Sequence, residues 1–180
     1  MPVRAATPLT YEDDAGDALD TRASMDIVSI TYDIRQVNRG GPPSLYIEMV
    51  LSAPPESQLA TYAAEGDAGP CFIDASYRPG TVLSQTLGLP AADFFIGCDG
   101  ADSALVPSTT RIKDNVIAWS IAMDSIPKEA REAGSMINLF AFTHTSEPVT
   151  GIFGNGDQDT GGPGILPTDS AETDQAFNFA

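Results

Sequence analysis

The sequence predicts an all-β protein, an antiparallel β-sandwich carrying one short helix. Three observations lead there. The stretches 26–36, 45–52, 116–123 and 136–145 alternate apolar and polar residues with a period of two, the mark of a half-buried strand. Clusters of Gly, Pro, Asn and Asp separate these stretches, as turns between antiparallel strands require. Helix signals gather in one place only, Pro127 to Gly134.

The size fits this class. The chain has 180 residues, of which 42% are hydrophobic, enough for one domain with a substantial core. The chain divides into an extended lead-in (1–12), a sandwich (13–150) and a Gly-rich loop with an acidic tail (151–180).

The elements follow in order. Pro2 and Pro8 keep the lead-in out of helix. Strand one runs from Asp26 to Gln36, with Val28, Ile30, Tyr32 and Ile34 on one face. Asn38-Arg39-Gly40-Gly41-Pro42-Pro43 turns the chain into strand two, Leu45 to Ser52, where Leu45, Ile47, Met49 and Leu51 share a face. Leu59 to Glu65 forms a third strand. It is joined by a turn at Gly66-Asp67-Ala68-Gly69-Pro70 to a fourth at Cys71 to Tyr77. Residues 78–92 read as loop, and Asp93-Phe94-Phe95-Ile96-Gly97-Cys98 as a short buried strand. Thr109–Lys113 and Val116–Met123 make a hairpin about Asp114-Asn115, where Asn tolerates positive φ. The only tryptophan, Trp119, shares parity with Ile117 and Ile121 and belongs in the core.

In the helix, Ser125 can cap, Pro127 suits the first turn and Gly134 the end. Met136 to Thr145 is the last strand, with Ile137, Leu139, Ala141 and Thr143 on one face. Beyond Pro148 come six glycines between Gly151 and Gly164, then a polar tail. That tail is loosely ordered unless Phe177 and Phe179 dock.

Charge narrows the function classes. The formal net charge is −16, so the surface repels nucleic-acid backbones and anionic lipid. Much of this acidity serves solubility, or suits a saline habitat. No run of about 18 apolar residues supplies a membrane span. Met1-Pro2-Val3-Arg4-Ala5-Ala6 has no apolar h-region, so no signal peptide is visible in the sequence. Cys71 and Cys98 are isolated, with no CxxC and no neighbouring histidine, which argues against zinc. In an exported protein they form one disulfide; in a reducing compartment they are two buried thiols.

Asp13-Asp14-Ala15-Gly16-Asp17-Ala18 is the richest motif. Asp13, Asp17 and Asp26 surround a glycine that allows a tight turn, and oxygen-only chemistry of this kind suits Ca²⁺. Three close carboxylates repel one another unless something neutralises them. The bland alternative is a solvated acidic turn. The spacing lacks the closing glutamate of an EF-hand. Asn155-Gly156-Asp157-Gln158-Asp159 is a second alternating-oxygen stretch, offering Asp157 and Asp159 as further metal ligands or simply a Gly-rich loop.

No constellation reads as an active site, so the expectation is a protein that is not an enzyme. The sole histidine, His144, lies on a strand, and no G-x-S-x-G elbow is present. Haem would need a partner for His144, and Met25, Met49, Met123 and Met136 are not paired with it by the sequence. Sugar binding needs exposed aromatic platforms, for which Tyr11, Tyr46, Tyr62 and Tyr77 are the candidates.

Together the acidic loop, the Met25-Asp26-Ile27-Val28-Ser29-Ile30 start of strand one, Leu45 to Pro54, the Ile112–Trp119 hairpin and the closing Leu139-Phe140-Ala141-Phe142-Thr143 resemble a known group. They resemble the prokaryotic β-sandwich modules related to the DOMON domain and to family 9 carbohydrate-binding modules. The likeness covers about residues 10 to 160. It implies a sandwich of jelly-roll or immunoglobulin-like layering, with the acidic loop clamped onto strand one through a cation. It also implies an accessory module of exported or cell-surface proteins, extracellular in location. Some such modules bind sugars, some haem, and some are only structural, so the partner is a glycan or another protein.

Overall fold

A computed structural model describes residues 6–18, 22–36, 41–57, 60–79, 91–100, 104–145 and 169–179. Among the described residues, twelve strands form two antiparallel sheets, as the alternating pattern requires. The smaller sheet has the order β1-β2-β3-β9-β8, built from Leu9–Glu12, Ile27–Arg35, Ser44–Leu51, Val116–Ala122 and Thr109–Lys113. The larger has the order β11-β10-β4-β5-β6-β7, and β12 also pairs with β10. Its strands are Asp169–Thr173, Ser135–Thr145, Ala60–Ala68, Cys71–Tyr77, Ala92–Cys98, Ala104–Leu105 and, for β12, Phe177–Asn178.

The inner faces divide the packing unequally. The smaller sheet contributes bulk: Ile30, Tyr32, Leu45, Ile47, Met49, Ile117, Trp119 and Ile121 are all buried. Much of the larger sheet answers with small residues, Ala60, Ala64, Ala68, Ala75, Ala141 and Ala171. Large against small lets two sheets approach closely without voids. Among the described residues, three polar ties cross between the sheets. The Ile27 N–H donates to Asp169 Oδ2 at 2.5 Å, Thr143 Oγ1 donates to the Met25 carbonyl at 2.6 Å, and the Tyr32 hydroxyl donates to the Glu65 carbonyl at 3.3 Å. The first two fasten the start of β2 to the opposite sheet, which sets the frame for the acidic loop.

Several elements differ from the sequence reading. β4 continues to Ala68, so the turn shrinks to Gly69-Pro70, with Gly69 at φ 59°. The two-residue turn at Asp114-Asn115 forms, but Asp114 takes the positive φ, 53°, while Asn115 Nδ2 reaches back to the Leu51 carbonyl. The helix α1 is Lys128–Glu132; Ser125 lies in a preceding 3₁₀ turn, and Pro127 holds the cap position without a side-chain bond. Gly134, at φ 77°, follows the helix end as its position suggested.

In β10 a bulge intervenes. Ile137 pairs with Asp67 but Phe140 pairs with Glu65, so β10 spends one extra residue there, and Asn138 adopts φ 52°. The bulge breaks the expected parity: Met136 turns into the core and Ile137 lies exposed. The lead-in supplies an edge strand, β1. The tail also docks: Phe177 is fully buried, Phe179 packs against the core, and β11 and β12 both pair with β10. The glycine-rich segment with Asp157 and Asp159 lies outside the described residues.

Cys71 and Cys98 stand directly opposite each other on β5 and β6 and are joined by a disulfide. Among the described residues no helix is long and apolar enough to cross a membrane.

Candidate metal centre

The acidic loop begins where β1 ends. The Asp13 N–H still donates to the Val28 carbonyl, so Asp13 is anchored beside β2. The chain then turns through Gly16 at φ 92°, a conformation that disfavours any side chain. Asp26 holds this turn. Its Oδ1 accepts the Gly16 N–H at 2.8 Å and its Oδ2 accepts the Ser52 hydroxyl. The Ser52 N–H returns to the Asp26 carbonyl at 2.9 Å. Asp26 is therefore buried and engaged on both oxygens, and it positions the loop from behind.

The carboxylates that converge are Asp13, Asp17 and Asp169. One oxygen from each lies within 4.8 Å of the other two. They come from three places: the end of β1, the far side of the Gly16 turn, and the start of β11. Sequence reading found the first two and placed Asp26 as the third. Asp169 was missed because it lies in a polar tail with no nearby partner in sequence. Its signal was slight, an Asp just before the alternating Ala171.

Electrostatics make this group unfavourable by itself. Asp13 is held up at about 6 by burial, reinforced by the charges of Asp169 and Asp17. Asp169 is also raised, by burial first and then by Asp17 and Asp26; the N–H groups of Ile27 and Ser170 work the other way. Asp13 Oδ2 is buried and has no hydrogen-bond partner among the described residues. A buried acceptor without a donor costs about 1–3 kcal/mol, and more when charged. Hard oxygen donors, three negative charges and an unengaged oxygen fit Ca²⁺ better than a softer metal. Loop carbonyls and water would supply the remaining oxygens.

The other sequence candidates fall elsewhere. Tyr11 and Tyr62 are buried, so neither is a surface platform; Tyr46 and Tyr77 are half-buried. Tyr62 instead accepts the Glu56 N–H at 2.7 Å and stacks on Tyr77. Met25, Met49 and Met136 lie in the core, whereas His144 is on the outer face of β10, so the sheet separates them. No protein-family model, no curated protein and no solved structure matches this chain.

Proposed function

We propose that this chain is a non-catalytic accessory module of exported proteins, fastened by a structural calcium ion at Asp13, Asp17 and Asp169. The observation that carries the reading is the convergence of three carboxylates from distant segments onto one point, with a buried oxygen of Asp13 left unengaged. An ion there would neutralise the repulsion and bind β1, the loop and β11 together across both sheets. The disulfide is compatible with an oxidising location outside the cell.

The test is a thermal melt of purified protein with and without chelator, joined to elemental analysis. An ion bound only by the native state stabilises it by about 2.7 kcal/mol at a hundred times Kd. Chelation should lower Tm, calcium should restore it, and about one calcium should travel with each chain. An unchanged Tm and no bound metal would remove the proposal.

A further inference from the structure

The smaller sheet ends at β8, whose outer edge pairs with no other strand among the described residues. The direction of its backbone groups follows from one hydrogen bond. The Leu51 N–H donates to the Asn115 carbonyl at 2.9 Å, so Asn115 turns its backbone toward β3. Backbone direction alternates along a strand. Ile117, Trp119 and Ile121 therefore also face β3, and Val116, Ala118 and Ser120 face β8. Opposite those three on β8 stand Lys113, Arg111 and Thr109. A hydrogen-bonded antiparallel pair exchanges both of its bonds, so these residues are engaged with β9. The N–H and C=O groups of Thr110 and Ile112 are left pointing outward from the sheet edge.

Side chains follow the same alternation. Thr110 and Ile112 lie opposite the buried Trp119 and Ile117, which puts them on the core side of the sheet. At this margin Ile112 is 45% exposed. Arg111 and Lys113 are exposed on the outer side, beside Ala118 and Val116 of β9, neither of which carries a charge. In a chain with 25 acidic residues, neither cation forms an ion pair among the described residues. An edge that rejects partners carries a proline, a bulge or a charge pointing inward. β8 has no proline, its register with β9 is unbroken, and its inward positions hold Thr110 and Ile112.

We infer that β8 is a docking edge for an extended acidic segment of a partner protein, added as a further antiparallel strand. Main-chain bonds to Thr110 and Ile112 hold such a strand, and its side chains set the choice of partner. Residues opposite each other share a face, so its apolar side chains lie beside Thr110 and Ile112. Its carboxylates then lie on the outer side, beside Arg111 and Lys113, where opposite charges across a ladder attract. A second copy suits this edge poorly. Pairing β8 with itself about Arg111 or Ile112 sets cation against cation, between chains that each carry a net charge of −16. At near-physiological salt, screening over about 8 Å leaves the two local cations to act on a short segment while the distant acidic surface is damped. The inference does not depend on the calcium centre.

The probe is a short fluorescent peptide alternating valine and glutamate, titrated with the full chain at near-physiological salt and followed by anisotropy. Two further peptides carry backbone N-methyl groups, one on its valines and one on its glutamates. In antiparallel addition the valine N–H groups meet β8 and the glutamate N–H groups face solvent. The expected result is saturable binding that is lost with the valines methylated and kept with the glutamates methylated. Arg111→Gln combined with Lys113→Gln should weaken binding about threefold or more, whereas Lys128→Gln, which removes a cation from α1, should bind as the parent does. Amide exchange read by NMR should slow at Thr110 and Ile112 when the peptide is bound. No saturable binding would overturn the inference, as would unchanged exchange at those two amides. Equal binding of both methylated peptides, or an equal loss in Lys128→Gln, would overturn it in favour of attraction to charge alone. Dimers of the chain that the peptide breaks apart would overturn it in favour of a second copy.

Discussion

Replacing Asp13 by Asn should change the stability of this protein in opposite directions with and without calcium. In chelator, the side chain sits among Asp17 and Asp169 with its ionisation resisted by burial and like charge. The folded protein therefore holds its proton more tightly than the unfolded chain, about 6 against 3.8. The calcium-free protein loses stability as pH rises through that window, and above about 6 the full penalty is present. Asp13 is only half-buried, so solvent screening reduces the penalty to about 1 kcal/mol or less. Asn removes the charge, and at pH 7.5 in chelator the variant should melt slightly higher than the parent. In calcium the same substitution removes a ligand. At a hundred times Kd the ion contributes about 2.7 kcal/mol, and in a chain of this length each kcal/mol moves Tm by roughly 2–4 °C. The parent should therefore gain about 5–10 °C on adding calcium, and the variant should lose most of that gain. Paired calorimetric scans of parent and variant would check this. A variant that melts lower than the parent in chelator, or keeps the whole calcium shift, would refute the reasoning.

Three further outcomes are expected. Asp26→Ala should cost about 2 kcal/mol in urea unfolding, because the Gly16 N–H and Ser52 hydroxyl lose their acceptor. It should also weaken calcium binding measured by titration, although Asp26 is not one of the converging three. Replacing both Cys71 and Cys98 by Ala should cost about 3.5 kcal/mol, from the loop entropy of a 27-residue separation, seen as a lower urea midpoint. Met136→Ala should cost about 3 kcal/mol and Ile137→Ala less than about 0.5 kcal/mol. Equal losses would contradict the bulge at Asn138.

The sequence by itself determined the class and most of the strands. Period-two alternation is a local property: Leu45, Ile47, Met49 and Leu51 must share a face wherever the strand goes, and all four are buried. Turn chemistry is local too, so the Asp114-Asn115 hairpin and the Gly134 stop were legible. Where a register shift intervened, local pattern failed. The extra residue at Asn138 exchanged Met136 and Ile137, and only pairing with β4 reveals it. The metal centre divides in the same way. Asp13, Asp17 and the turn at Gly16 could be read from spacing, but Asp169 could not. It joins β2 through a bond to Ile27 across 142 residues, and no local signal encodes which tail strand will lie beside which loop. That is settled by the docking of Phe177 in the core and the pairing of β11 with β10. Convergence then makes three ordinary carboxylates, one exposed, one half-buried and one buried, a group that repels itself, a property that belongs to no one of them.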